Sequence, residues 1–208
     1  NDPKFNKTEK DMKGNTAFST MMTKLCTYNA RTEFMLSIIA KAMIDDPNQQ
    51  MLILGHYKNV LSYMYDAIEE RNIATVGYYI GGMKQDKLKE SETKQIIVAT
   101  YAMASEALDI KTLSTLVLAT PKKDVIQSVG RILRSEGGQI ASTSQKSTPL
   151  ILDFIDLHPV FWRHGLERNR YFKKQGYLIH NMNMTKKAEE PEDIKYTTCC
   201  IKMPLSIK

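Results

Sequence analysis

The 208-residue chain has few of the residues that staple a small fold covalently or through a metal: three cysteines, two of them adjacent (Cys199, Cys200), and no CxxC pair. A disulfide framework and a cysteine zinc site are thereby excluded, and free thiols in a reducing intracellular compartment are expected. With 7 prolines and 10 glycines the chain is neither collagenous nor low-complexity. No run reaches the roughly 18 apolar residues of a membrane span, and the polar stretch Asn1 to Asp11 has no apolar signal core, so no membrane is expected among its partners. His158, His164 and His180 have no acidic or cysteine neighbours at metal-ligand spacing, which leaves them surface or helix-cap roles and predicts no metal held by this chain. No GxGxxG follows the first apolar run, which argues against a dinucleotide cofactor. The GxxxxGK[ST] phosphate cradle is also absent, and no apolar run ends in Asp-Glu. Asp45-Asp46 precedes a proline and follows a helical pattern, so it cannot serve as that acidic pair.

What is present is an ordinary globular composition, 42% hydrophobic and 25% charged, enough to bury a core. The 29 basic residues exceed the 23 acidic ones, a net +6 that tilts the partners mildly toward polyanions such as nucleic acid.

Residues 1–30 lack a sustained period and read as a linker or loosely packed lead-in. From Arg31, apolar residues recur at three- and four-residue steps through Met43, and the helix stops at Asp45-Asp46-Pro47-Asn48. Short apolar runs then alternate with helical patterns: Met51 to Leu54, Val76 to Ile80, Ile96 to Ala99, Leu116 to Ala119 and Leu150 to Phe154. Strands buried on both faces and separated by helices mean βαβ units, hence an α/β fold with a mainly parallel sheet between two helix layers. Ligands of such sheets collect at the carboxyl ends of the strands, here the loops Gly55 to Lys58, Gly81 to Lys84, Thr100 to Asp109 and Thr120 to Asp124. A Gly/Ser/Thr/Gln stretch at 135–148 reads as a mobile insertion. A final helix opens at Phe161-Trp162, carries Arg168, Arg170, Lys173 and Lys174, and ends at Gly176. Those basic residues either line a nucleic-acid channel or solvate the helix. The tail at 185–208 is a polar extension with room for a short strand around Tyr196 to Ile201.

The richest segment is Gln127-Ser128-Val129-Gly130-Arg131-Ile132-Leu133-Arg134, on a helix expected from about Asp124 to Arg134. Gln127, Arg131 and Arg134 stand at i, i+4 and i+7 and share one face. Two guanidiniums one turn apart suit the oxygens of a polyphosphate, with Gln127 placed to orient a water. The same spacing is also that of an ordinary basic face. Upstream, Thr100 ends a strand and can hold a phosphodiester through its hydroxyl, while Asp109 can take a ribose hydroxyl. A helix start at Ser105 with solvated acids explains that stretch equally well.

From about Arg31 to Tyr177 the order of segments resembles the second RecA-like domain of a superfamily 2 helicase. MLILGHYKNV resembles motif IV, YYIGGM with the later IIVATYAMASEALDI the run into motif V, and QSVGRILR motif VI. ILDFIDLHPVFWRHGLERNRYFKKQGY is similar to the aspartate-rich strand and arginine-bearing helix of the XPB and UvsW type. The narrower likeness is to transcript-release helicases of poxviruses and their counterparts in other large cytoplasmic DNA viruses. The combination carries the resemblance, since strand-T-x5-E-x2-D, a further strand and then QxxGRxxR is far more specific than any one part. The chain departs from the family at Ala107, where motif V usually has Gly, and at Ser128, where motif VI is often basic.

The resemblance implies a RecA-like three-layer domain at 31–184 and a set of roles. Arg131 and Arg134, with Gln127 beside them, face the γ-phosphate as arginine fingers. Glu106, Asp109 and Gly130 lie on the ATP side, Asp109 near the ribose. Thr100, His56, Lys58, Gly81 and Gly82 track the nucleic-acid backbone, DNA or RNA. ATP and Mg²⁺ would be held mainly by an upstream N-terminal RecA-like lobe, in keeping with a chain that starts at Asn1. The resemblance further implies a monomer acting in the cytoplasm of an infected cell, and in the virion. A non-catalytic RecA-like module that binds nucleic acid or protein is the alternative. The missing phosphate cradle predicts that the isolated chain neither binds ATP tightly nor hydrolyses it. Micromolar affinity in a calorimetric titration with Mg-ATP, or turnover by the isolated chain, would contradict that expectation.

Overall fold

The computed structural model describes residues 3–106, 110–125, 149–182 and the strand at 199–202. Their order is α1 (Pro3–Asn6), α2 (Phe18–Cys26), α3 (Asn29–Asp45), β1 (Gln50–Gly55), α4 (Lys58–Glu70), β2 (Val76–Tyr79), α5 (Gln85–Glu92), β3 (Ile96–Thr100) and α6 (Tyr101–Glu106). Then come β4 (Leu113–Leu118), β5 (Leu150–Asp153), α7 (Pro159–Lys174), β6 (Leu178–His180) and β7 (Cys199–Lys202). The strands form one sheet in the order β2-β3-β1-β4-β5-β7-β6. The first five run parallel, and β7 pairs antiparallel with both β5 and β6.

The near-continuous apolar runs follow from burial on both faces. Met51 and Ile53 of β1, Ile96 and Val98 of β3 and Val117 of β4 face one core, with α2, α3 and α4 supplying Met21, Leu25, Met35, Leu36, Ile39, Leu61 and Met64. Leu52, Leu54, Ile97, Ala99, Leu116 and Leu118 face the other, against Leu88 of α5, Tyr101 and Ala104 of α6, and Phe172 of α7. Side chains two apart share a face, so each strand divides its residues between the two layers. This is the expected α/β three-layer architecture.

Three expectations change on contact with the structure. Residues 1–30 are not loosely packed throughout: α2 buries Met21, Met22, Leu25 and Cys26 in the first core. Its methionines adapt to an irregular gap and give little periodic signal over nine residues. Strand β4 begins at Leu113, ahead of the apolar run, because its polar residues have partners: the buried Thr115 hydroxyl donates to Gln49 Oε1, and Ser114 Oγ accepts from the Gln50 amide. Within the extension at 185–208, residues Cys199–Lys202 form β7 and join the sheet, close to the strand expected there. The helix expected over 124–134 and the insertion at 135–148 lie outside the described residues beyond Val125.

Helix α7 closes the domain. His158 caps it by accepting the Val160 amide on Nδ1, with Pro159 in the first turn. At the far end Gly176 takes a φ of 74°, and the amides of Gly176 and Tyr177 return to the carbonyls of Lys173 and Phe172. The Tyr177 and Phe172 rings stack at 5.7 Å over that turn, completing a Schellman stop. Gly165 faces Ile155, where an added Cβ would lie 2.5 Å from the Ile155 methyl.

Between these ends Arg168, 2% exposed, meets Asp153, 1% exposed, at the end of β5. Its Nε and one terminal nitrogen donate to both carboxylate oxygens at 2.7 to 3.1 Å, and Nη1 donates to the Lys122 carbonyl at 2.7 Å. Arg168 therefore neither lines a channel nor solvates the helix, which corrects the expectation for it. Arg170, Lys173 and Lys174 are exposed. Replacing Arg168 by Met strands a buried carboxylate and is expected to cost about 3–5 kcal/mol, read from urea unfolding. Adding Asp153→Leu to that variant should restore much of the loss, whereas a single variant as stable as wild type would contradict the pairing.

Candidate nucleic-acid interface

Neighbouring strands β1 and β3 send their chains to opposite faces of the sheet. After Gly55 the chain enters α4, which packs Val60, Leu61 and Met64 into the first core, whereas after Thr100 it enters α6, which packs Tyr101 and Ala104 into the second. Gly55 and Thr100 are register partners, so the two exits diverge side by side. That is a topological switch point, the crevice where open α/β sheets take their ligands.

Four side chains are linked across the crevice mouth. The His56 amide donates to Thr120 Oγ1 at 3.0 Å, and His56 Nδ1 lies 2.8 Å from the same oxygen. The buried Tyr101 hydroxyl donates to the Thr120 carbonyl at 2.8 Å. The His56 and Tyr101 rings meet at 4.8 Å, and Lys122 Nζ stands 4.6 Å from the centre of the Tyr101 ring. Desolvation by the surrounding loops, then the charges of Lys122 and His164, push the His56 imidazole down to about 4. At neutral pH the ring is therefore uncharged and keeps one N–H to donate. Desolvation also lowers Lys122 and raises the Tyr101 phenol.

Thr100, at the end of β3, accepts the Met103 amide at 3.4 Å and so starts α6. Lys58 Nζ reaches the Gly81 carbonyl at 3.4 Å, which brings the first two expected loops together, and Gly82 follows with a φ of 90°. Thus Thr100 ends β3, Lys58 starts α4, and with His56, Gly81 and Gly82 they all stand at or just after the carboxyl ends of β1, β2 and β3. Glu106 is the last residue of α6, while Asp109, Gln127, Gly130, Arg131 and Arg134 fall outside the described residues. Among the described residues, no group of three or more His, Cys, Asp or Glu can hold a metal ion. Reading the sequence missed Tyr101, Thr120 and Lys122. A tyrosine beside an apolar run looks like core, and only the position of Thr120 after a strand hinted at its role.

No protein-family model matches the chain. A protein of Acanthamoeba polyphaga mimivirus that bears the name of an ATP-dependent RNA helicase is 35% identical over 179 residues, 85% of this chain and 33% of that protein. A similarly named protein of African swine fever virus is 23% identical over 136 residues, 62% of this chain and 26% of its own length. Among solved structures, T4 UvsW aligns with a TM-score of 0.58 at 21% identity, over 78% of this chain and 36% of that one. The fold is of the RecA-like class, shared with the T4 UvsW structure. More narrowly, the chain is homologous to helicase-named proteins of large DNA viruses. It spans about a third of the mimivirus relative and about a quarter of the swine fever virus one.

The lowered His56 pKa has a pH consequence. Between its ordinary value near 6.5 and about 4, the folded chain binds fewer protons than the unfolded one. The stability it contributes is full above about pH 6.5 and is lost as the pH falls toward 4. Wild type should therefore lose stability more steeply than His56→Gln between pH 7 and 4, and the His56 ring should titrate near pH 4 by NMR. A ring midpoint at pH 6 or above would contradict this.

Proposed function

We propose that the chain is the C-terminal motor lobe of an ATP-dependent nucleic-acid helicase or translocase. One observation carries the reading. In the sequence, strand β3 opens T-x5-E-x2-D, then comes β4, then QxxGRxxR, and the ends of β1 and β3 open the switch-point crevice. Thr100, His56, Lys58, Gly81 and Gly82 would contact the phosphate backbone. The charge and donors at that edge suit phosphate oxygens, which carry no base identity. Arg131 and Arg134 would bring positive charge to the γ-phosphate, with Gln127 orienting the attacking water and Glu106, Asp109 and Gly130 on the nucleotide side.

The sequence has no GxxxxGK[ST] cradle, so ATP and Mg²⁺ would sit mainly on an N-terminal RecA-like lobe. Closing the two lobes would complete the site, and reopening would shift the grip along one strand. The reading includes a domain at 31–184 with a polar extension at 185–208, a monomeric motor, and work in the cytoplasm of an infected cell. Its relatives' names point to RNA, and DNA is tested beside it.

Nucleic-acid-stimulated ATP hydrolysis by the full-length protein tests the proposal, comparing wild type with Arg134→Ala on single-stranded DNA and RNA at two salt concentrations. Losing a finger should cost on the order of 10³-fold in turnover while nucleic-acid binding persists. Unstimulated wild type, or an Arg134→Ala variant as fast as wild type, would leave a binding module in place of a motor.

A further inference from the structure

We infer that Tyr101 is a positioning residue that couples occupancy of the switch-point crevice to the nucleotide side of the domain, acting through the Thr120–Lys122 loop. The inference rests on the motor reading above and adds to it a residue that contacts neither ligand.

The geometry is a junction. Tyr101 follows Thr100 directly, at the first position of α6, so a load on the end of β3 reaches its backbone at once. Its side chain leaves that segment and spans to the next loop, where the hydroxyl donates to the Thr120 carbonyl at 2.8 Å. Thr120 in turn holds the His56 amide and ring on its hydroxyl. The Tyr101 ring carries the His56 ring at 4.8 Å and the Lys122 ammonium at 4.6 Å. One buried side chain thus joins the exits of β1, β3 and β4.

The far side of that loop is fixed. Lys122 offers its carbonyl to Arg168, which is locked on Asp153, so the loop cannot drift away from the sheet. Thr120–Lys122 is held by α7 beneath and by His56 on the Thr120 hydroxyl, and the tyrosine on the Thr120 carbonyl is the support that follows β3 directly. In sequence the chain runs on from Val125 to Gln127, Arg131 and Arg134. Displacing β3 and Tyr101 would therefore move the start of the segment that carries the arginines. The hydroxyl has no chemistry of its own to offer. Burial holds the phenol far above neutrality, so it stays protonated and serves as a donor.

Tyr101→Phe is the test, because it removes the hydroxyl and keeps the ring that His56 and Lys122 pack on. In the full-length protein, ATP hydrolysis is measured without nucleic acid and with saturating single-stranded RNA and DNA, alongside nucleic-acid affinity and thermal unfolding. The expected result is a stimulation factor reduced about tenfold or more, with basal turnover and nucleic-acid affinity within about twofold of wild type. Hydrogen exchange at 119–125, slowed by nucleic acid in wild type, should no longer respond in the variant. Full stimulation in Tyr101→Phe overturns the inference, as does an equal loss of basal and stimulated rates, which marks a merely structural role. Absence of stimulation in wild type instead overturns the motor reading, and the inference with it.

Discussion

The Arg168 guanidinium holds three parts of the molecule at once: helix α7, the last parallel strand and the loop that leaves β4. A planar cation with five donors suits that task, since two of its nitrogens meet a carboxylate side-on and a third still reaches a carbonyl. Burying a charge is costly unless it is paired and fully hydrogen-bonded, and here the Asp153 oxygens and the Lys122 carbonyl meet that demand. The cost of leaving either partner alone makes the junction all-or-none. A second pair, Arg31 on Asp156 at 2.6 and 2.9 Å, repeats the arrangement nearby and ties the start of α3 to the segment after β5. Helices α3 and α7 are thus anchored at and just beyond the end of the same strand.

That anchoring explains how much of the molecule was legible in its sequence. The parallel strands announce themselves because burial on both faces requires uninterrupted apolar runs, as in Met51 to Leu54 and Ile96 to Ala99. Helix α7 is readable at both ends from Pro159 and Gly176. By contrast β4 carries Ser114 and Thr115 near its start, and their polar groups are satisfied by Gln50 and Gln49 some 65 residues away. No local pattern encodes such a partnership. Helix α2 hid for a related reason, because its methionines gain meaning only against α3 and the sheet.

The candidate site divides the same way. Loop positions follow from topology, so Thr100, His56, Lys58 and the Gly81-Gly82 pair could be placed once the strands were known. Roles within the loops depend on contacts between them. Arg168 looked like a member of a basic surface because its neighbours Arg170, Lys173 and Lys174 are one, and only the carboxylate at the end of β5 separates it from them. Tyr101, beside an apolar strand, was unreadable as anything but core. Its ring is core; its hydroxyl is not idle.

On the motor reading, the electrostatics of the crevice would suit a grip that opens and closes. A cluster of full charges would hold a polyanion tightly and release it slowly. Among the described residues of the crevice, desolvation keeps His56 neutral, so its ring N–H is an uncharged donor beside the Lys122 ammonium. Neutral donors bind phosphate oxygens more weakly than cations do, and salt screens them less. Their strength depends on alignment, so a shift of an ångström in the Thr120 loop changes it more than it would change the attraction of a distant lysine. On the motor reading this is the useful property. Affinity set by loop geometry can be switched by whatever moves the loop, whereas affinity set by net charge, +6 over the whole chain, cannot.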